Sequence, residues 1–331
     1  MAKILKESPI VTLFAEEVLN NTYSKDNDKK VELAEANREI SDMLDDYANP
    51  VTRSEIAQIV GYTVDTILDT RMSYVDSIAD VKRTEIGAKA EFKTELDGIQ
   101  AFIQAKGSTT QRSTMKQSSQ LLDTEAVSAR PWISFLDLKT GKFDFSKMVL
   151  SASYKMELAM LQRIETVMYA AFANYASPNY AAGAGVVKAT LDEQIRAFAR
   201  LGGVSLMGDI DILWKLTALT GFNGVVSQDI INEANRSGSI GTYNSASVVK
   251  LANPPVMGSL TTTQLRKDLL YILPSGAAEF RPLKVAWEGD MMSMDANNIN
   301  DRSFEIQMDK YFGAGIVFAI NYMGLYEDTT L

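Results

Sequence analysis

The last third of the chain limits its fold more than any other part. Four fragments follow one another there: IGTYNSASVVKLANP from Ile240 to Pro254, LYILPSG from Leu270 to Gly276, FRPLKVAWEGD from Phe280 to Asp290, and SFEIQMDKYFGAGIVFAINY from Ser303 to Tyr322. Each predicts a strand with a turn or edge beside it. None carries a catalytic group. Phe304, Ile306 and Met308 alternate as a half-buried strand does, and GIVFAINYM follows a Gly-rich bend, predicting an antiparallel pair that closes the fold against a long helix.

At 331 residues, the chain suffices for one large or two medium domains. Apolar residues make up 46% and charged residues 23%, as in ordinary globular proteins. There is no Cys and no His, which excludes thiolate catalysis, disulfides, His-ligated metals and His-based triads. No apolar run approaches the roughly 20 residues of a membrane span. MAKILKESPIVTLFAEE lacks a signal peptide's apolar core, and with the start at Met1 we expect no removed leader or scaffolding segment. The net charge of −9 is uneven: residues 1–80 hold 8 Lys+Arg against 16 Asp+Glu, and residues 81–331 hold 25 against 26. An acidic first quarter disfavours a phosphate backbone and predicts a solvated helical surface.

Residues 29–47 predict an amphipathic helix with Val31, Leu33, Ala36, Ile40, Met43, Leu44 and Tyr47 at helical spacing, stopped by Asn49-Pro50. Residues 52–70 predict a second, interrupted near Gly61. This segment has the look of a helix-turn-helix whose second helix would be TVDTILDTR. Asp65 and Asp69 there would repel phosphate, so a structural helical pair is the stronger reading. In TEIGAKAEF, Ile86, Ala88, Ala90 and Phe92 alternate as a strand, with PWISFLDL at 131–138 as its antiparallel return. Between them Gly98–Leu122 holds no acid and three bases, Lys106, Arg112 and Lys116. GSTTQRSTMKQSSQ cannot build a core and predicts an extended, solvent-reaching excursion.

After a turn at KTGK, Asp144 or Ser146 is placed to cap a helix through about Tyr175. Its stripe is Met148, Ala152, Met156, Ala159, Met160, Ile164, Val167, Met168, Ala171, Phe172 and Tyr175, read as core packing. Thr190–Glu193 reads as a capping box, Leu191, Ile195 and Phe198 as inward, and Gly202-Gly203 as a stop. VSLM is a buried strand, Asp209 caps a helix ending at Gly221, and Ser227 caps another ending at Gly238. Helices flanking strands make 180–290 an α+β domain.

Taken together, the four closing fragments, the acid-free excursion and the long helix resemble the tailed-phage major capsid proteins of the Hong Kong 97-type shell fold. The resemblance rests on element order over about 80–331. It implies an α+β chain with an acidic helical arm over 1–81, an extended loop over 82–143 and the spine helix of a peripheral domain over 144–175. An axial domain over 176–290 and peripheral return strands over 291–331 complete it. The implied function is self-assembly into hexamers and pentamers of an icosahedral head enclosing double-stranded DNA. Lys106, Arg112 and Lys116 become assembly-interface residues, and Met156, Met160, Ile164, Met168 and Phe172 spine-helix packing. The implied partners are copies of the chain, with scaffolding, portal and decoration proteins and DNA held without sequence-specific contact. No membrane and no cofactor is implied. The location is the virion, after assembly in the host cytoplasm.

A search for chemistry is negative. Gly183–Lys188 fails the dinucleotide pattern, because its last position is Lys and no strand is expected to lead into it. There is no GK[ST] phosphate loop and no GxSxG. Asp209 and Asp211 are better read as a cap and a surface acid than as metal ligands. No sequence context selects a Ser–Lys dyad, so no enzyme is expected. The alternatives are an encapsulin-like nanocompartment shell of the same fold and a DNA-binding regulator using 52–71.

Overall fold

The structure is a computed structural model. It describes residues 11–13, 15, 35–36, 38–40, 42–43, 49–96, 116–134, 145–172, 179–200, 202–224, 239–251, 253, 255–256, 259, 261–274, 281–298, 303–317 and 323–331. In chain order the described helices of eight or more residues are α1 (Pro50–Arg71), α2 (Phe145–Phe172), α3 (Lys188–Ala199) and α4 (Ile210–Thr217). The strands are β1 (Asp80–Thr84), β2 (Ala90–Leu96), β3 (Lys116–Leu122), β4 (Glu125–Ala129), β5 (Trp132–Ser134), β6 (Tyr180–Gly183) and β7 (Val204–Gly208). They continue with β8 (Phe222–Gly224), β9 (Ser239–Tyr243), β10 (Ala246–Lys250), β11 (Leu269–Pro274), β12 (Leu283–Asn298), β13 (Ser303–Ile316) and β14 (Gly324–Asp328). The chain divides into two compact units. The first comprises Met1–Asp76, Glu125–Thr166 and Glu288–Phe312; the second comprises Ser77–Thr124, Val167–Trp287 and Gly313–Leu331.

In the first unit, β13 carries β4 and β5 as antiparallel partners, with Phe304 opposite Ile133 and Met308 opposite Ala129. Phe304, Ile306, Met308 and Phe312 alternate and are buried, so this periodicity is read correctly from sequence. Lys310 occupies the next place in that apolar series and is also buried. Its ammonium lies 2.5 Å from Asp65 Oδ1 on α1, and both side chains are almost wholly excluded from solvent. Helix α1 meets the same face again where Arg53 pairs with Asp295 at 3.2 Å. Arg71 at its far end pairs with Glu157 of α2 at 3.1 Å.

Helix α1 corrects two expectations, the interruption near Gly61 and the helix-turn-helix. Asn49-Pro50 starts it: Asn49 Oδ1 accepts from the Val51 amide, and Pro50 takes the first turn, where no N–H is needed. The helix runs through Gly61 unbroken. A Cβ there would come within 2.9 Å of Ser293 Cβ, so this glycine permits close approach to β12 and makes no break. With 22 continuous residues, no turn separates two helices, and the helix-turn-helix reading fails. Thr63, Val64, Asp65, Ile67 and Leu68 of the supposed recognition helix are buried. Of the helix expected over 29–47, residues 35–36, 38–40 and 42–43 are helical, with Ala36 and Ile40 buried; the rest lies outside the described residues.

Helix α2 begins at Phe145, which places Ser146 inside it and not at its cap; Asp144 lies outside the described residues. Ala159 is exposed, unlike its expected stripe neighbours, while Val149 and Leu161 are buried. The buried stripe therefore drifts around the helix, as 3.6 residues per turn requires.

In the second unit a seven-stranded sheet has the order β6-β14-β11-β7-β10-β9-β8. The β7/β10 and β6/β14 pairs are parallel, and the remaining pairs are antiparallel. Leu191, Ile195 and Phe198 of α3 and Ile212, Leu213 and Leu216 of α4 pack with Leu206, Val248, Leu270, Ile272 and Tyr326 in one cluster. The other side of the strands is apolar too, since Met207, Val249, Tyr271 and Leu273 are buried. Asn244 and Ser245 take φ of 46° and 72°, the two-residue turn that suits β9 and β10. Asn244 Nδ2 and the Tyr243 hydroxyl both donate to Asp192 Oδ1.

Asp192 is thereby engaged away from the helix end, and the capping box at Thr190–Glu193 is not formed. Helix α3 starts earlier, with Val187 at its cap position and no side-chain cap. Asp209 does cap α4, accepting from the Asp211 amide at 2.8 Å, but α4 ends at Thr217 before reaching Gly221. The helix expected after Ser227 and the turn at KTGK lie outside the described residues.

The TEIGAKAEF strand also needs correction. Glu85–Lys89 is a turn between β1 and β2, with Gly87 at φ 88° and the Ala88 amide donating to Glu85 O. Ile86 and Ala88 are exposed; Ala90 and Phe92 are buried. The return strand of β2 is β3, from Ala90 opposite Leu122 to Leu96 opposite Lys116, while residues 132–134 pair with β13. Gly313 and Gly315 do not bend β13 either. They lie within it, where a Cβ would come within 2.6 Å of Asp123 O and 2.8 Å of Leu122 Cδ1 respectively.

Truncating one partner of the Lys310–Asp65 pair leaves a buried charge uncompensated, which costs about 3–5 kcal/mol. Lys310→Met should therefore lower the urea midpoint sharply. The double replacement Asp65→Leu with Lys310→Met should recover most of the loss, which a double-mutant cycle by chemical denaturation will measure.

Candidate functional site

Among the described residues no group of three or more acidic, His or Cys side chains is placed to hold a metal, and no helix is long and apolar enough to cross a membrane. Asp209 spends one oxygen on the Asp211 amide and the other on Asn253 Nδ2 at 2.7 Å, as a cap and loop tie would. Contrary to the sequence expectation, a strand, β6, does lead into Gly183–Lys188. The loop nevertheless turns its groups inward. The Gly185 amide donates to Asp328 Oδ1, the Val187 amide to the Tyr326 hydroxyl, and that hydroxyl to Gly185 O. Those two amides are thus engaged within the chain and not turned toward a phosphate.

This loop belongs to a polar knot at the end of β14. Asp328 also accepts from Lys215 Nζ at 2.6 Å and from the Thr330 amide and hydroxyl. Burial by itself pushes the Asp328 carboxyl up; the hydrogen bonds from Lys215, Thr330 and Gly185 outweigh it and hold the group down to about 2. Beside it, Arg266 pairs with Asp268 and Glu327 and stacks 4.5 Å over the Tyr169 ring. Glu327 accepts from the Tyr180 hydroxyl, which pushes that phenol up to about 12.

With chemistry spent on holding the fold, the remaining features are surfaces. β2 and β3 form a separate two-stranded ribbon. Its base is seated by Ala90, Phe92 and Leu122 against Ala286. The Lys82 and Lys284 ammonium groups lie 4.9 and 5.6 Å from the Phe92 ring centre. Lys284 is buried and pairs with Asp80 at 2.8 Å. Of the expected interface residues, Lys116 is the first residue of β3, whereas Lys106 and Arg112 lie outside the described residues. Met156, Met160, Ile164, Met168 and Phe172 are all buried. Sequence reasoning missed the exposed apolar residues Trp132, Trp214, Met292 and Met294. For Trp214 a signal existed, because it falls outside the Ile212–Leu213–Leu216 stripe of an amphipathic helix.

A family model described as "SPbeta prophage-derived putative capsid protein YonB" matches residues 6–327. The chain belongs to this capsid protein family. A search of curated proteins finds no match. Solved structures show the same fold at low identity. The head of Helicobacter pylori bacteriophage KHP40 is matched with a TM-score of 0.54 and 11% identity, over 76% of this chain and 88% of that one. The capsid of cyanophage P-SCSP1u gives 0.52 and 10%, over 76% and 87%. The capsid of an empty GTA particle gives 0.51 and 12%, over 77% and 89%. The fold is the Hong Kong 97-type shell fold, and the chain is a major capsid protein, a structural component of a phage particle.

The depressed Asp328 group makes stability depend on acid. Its folded value lies below the usual carboxylate value of 3.8, so its contribution is complete above that and disappears as pH falls toward 2. At about 1.4 kcal/mol per unit this amounts to roughly 2 kcal/mol. Asp328→Asn should flatten the stability profile between pH 4 and about 2, as followed by urea unfolding across that range.

Proposed function

We propose that copies of this chain close into hexamers and pentamers of an icosahedral phage head around double-stranded DNA. Family membership over residues 6–327 carries the reading. The ribbon β2–β3 is the base of an extended loop over 82–143. Residues 144–175 are the spine helix, 176–290 the axial domain, 291–331 the return strands, of which the last, β14, pairs with β6 and β11 of the axial sheet, and 1–81 an added helical arm. A nanocompartment shell of the same fold is less well supported, because the matched family is a prophage capsid family.

The chemistry supports a structural and non-enzymatic role. Polar groups in the knot around Asp328 and at the Asp209 cap are consumed by internal bonds. Residues 81–331 are nearly charge-balanced, so a lining made from them would neither grip nor strongly repel packaged DNA. Scaffolding, portal and decoration proteins are the further partners of such a shell, and assembly takes place in the host cytoplasm. Lys106, Arg112 and Lys116 reach the adjacent subunit through the extended loop. Obligate assemblies of this kind bury upward of about 2,000 Å² per interface.

Expression of the chain alone, with light scattering and electron microscopy of the largest species, tests this reading. Closed shells or five- and six-membered rings are expected. A species that remains monomeric or dimeric across protein and salt concentrations, even when scaffold is supplied, would overturn it. Deleting residues 104–120, which takes most of β3 with it, should leave a folded subunit, by its retained cooperative urea transition, that assembles poorly; normal shells from the deletion would remove the extended loop from the interface.

A further inference from the structure

The methionines of β12 divide between two unlike faces of the first unit's sheet. One face is covered by the chain itself: Ser293 lies against Gly61, Asp295 pairs with Arg53, and Lys310 pairs with Asp65, each of these partners on α1. Side chains alternate along a strand, so Asp290, Met292 and Met294 of β12 and Glu305, Gln307 and Asp309 of β13 point the other way. Trp132 stands directly opposite Glu305 across the β5/β13 pair and shares that outer face. Met291 is only 5% exposed, whereas Met292 is 39% and Met294 51% exposed. Eight of the described methionines are buried, and Met43 and Met148 are half-buried. Among the described residues, Met292 and Met294 are therefore the thioethers most open to solvent. They lie two residues apart on one face, about 7 Å along the strand.

An exposed thioether reacts with peroxides. Its sulfur lone pair attacks one oxygen of hydrogen peroxide and the O–O bond breaks. That oxygen stays on sulfur, and the other leaves as water after proton transfer. The sulfur is oxidised to a sulfoxide, the peroxide is reduced, and no group of the protein is consumed. A methionine sulfoxide reductase reverses the step, releasing the oxygen as water while its own thiols become a disulfide. The change alters this face sharply. A sulfoxide oxygen accepts hydrogen bonds and donates none. The outward carboxylates Asp290, Glu305 and Asp309 are acceptors too. Of the donors beside them, Gln307 Nε2 is directed at Asp309 and the Arg130 guanidinium at Glu305. Water satisfies the sulfoxides while the face is open. Covering the face would leave two acceptors buried without partners.

Resting on the shell reading above, in which neighbouring copies cover a subunit's exposed apolar surfaces, we propose that Met292 and Met294 form a reversible oxidation switch on assembly. As thioethers they keep the outer face apolar, and the free subunit can enter a shell. As sulfoxides they hold that face hydrated, and the subunit stays out of the shell. Its fold is retained, because Met291 and Met308 are buried and escape the oxidant. Peroxide and reductase act on the free subunit, whereas a finished particle shields both sites.

The test treats the purified full chain with limiting hydrogen peroxide and maps the added oxygen by peptide mass spectrometry. Met292 and Met294 should oxidise at least about tenfold faster than Met291 and Met308, with the urea midpoint unchanged. Particle yield should fall by about tenfold or more, and methionine sulfoxide reductases A and B should restore it. The double variant Met292→Leu, Met294→Leu should assemble equally well with and without peroxide. Finished particles under the same treatment should keep both thioethers. Oxidation of Met291 at the same rate, a normal yield from subunits oxidised at both sites, or an equal loss in the double variant would overturn the proposal. If the leucines themselves impair assembly, the repair arm decides, and no recovery after complete reduction overturns it. An untreated chain that forms no particles, even with scaffold supplied, counts against the shell reading. Normal particles from oxidised subunits count against the switch alone.

Discussion

A lysine in the apolar series of a strand sets the arrangement of the first unit. Phe304, Ile306, Met308 and Phe312 define the covered face of β13, and Lys310 interrupts them. An ammonium group cannot remain in such surroundings alone, because its desolvation cost is several kcal/mol. Asp65 is the carboxylate that meets it, and Asp65 is on α1. The pair therefore fixes where along the sheet α1 lies. With α1 in that place, Gly61 falls over Ser293 and Arg53 reaches Asp295. A shift of one helical turn would strand two charges and drive another side chain into the glycine's position. This is an argument for register more than for strength, since a well-packed apolar pair would be at least as stable.

The same reasoning revises what the charge asymmetry of the sequence means. A surplus of acid in the first 80 residues predicts a solvated surface, yet Asp65 and Asp80 are spent on lysines of the last third, at 310 and 284. The asymmetry thus records in part a long-range pairing, with acids early in the chain and their cations within the closing strands. A lysine at the buried phase of a strand was the visible sign. Its partner was not visible, because nothing local relates two residues separated by 245 positions.

Strands were legible where one face is buried and the period of two survives, as in β13. Errors arose where a residue's usual local meaning was overridden from a distance. Gly61 read as a break and is a point of close approach. Thr190 read as a cap, but the helix starts earlier and Asp192 serves the Tyr243–Asn244 turn. The alternation from Ile86 to Phe92 was counted across a turn at Gly87, since apolar residues on either side happened to stay in phase. The shell family was legible from the order of elements. The exposure of Trp132 and Met294 was not legible, because they differ from core residues only in what the rest of the chain leaves uncovered.

That uncovered face fits the physics of a shell. A subunit that satisfied every apolar surface internally would have nothing to offer a neighbour. One with a large greasy patch would aggregate before it closed. Here the inner face is closed by the chain's own helix through specific ion pairs, and the outer face keeps one large aromatic and two methionines among carboxylates. Methionine suits such a place, because its flexible thioether adapts to slightly different neighbours. The rigid, charge-locked face and the adaptable face lie on opposite sides of the same strands. The first holds the subunit's shape, and the second leaves its side chains free to repack.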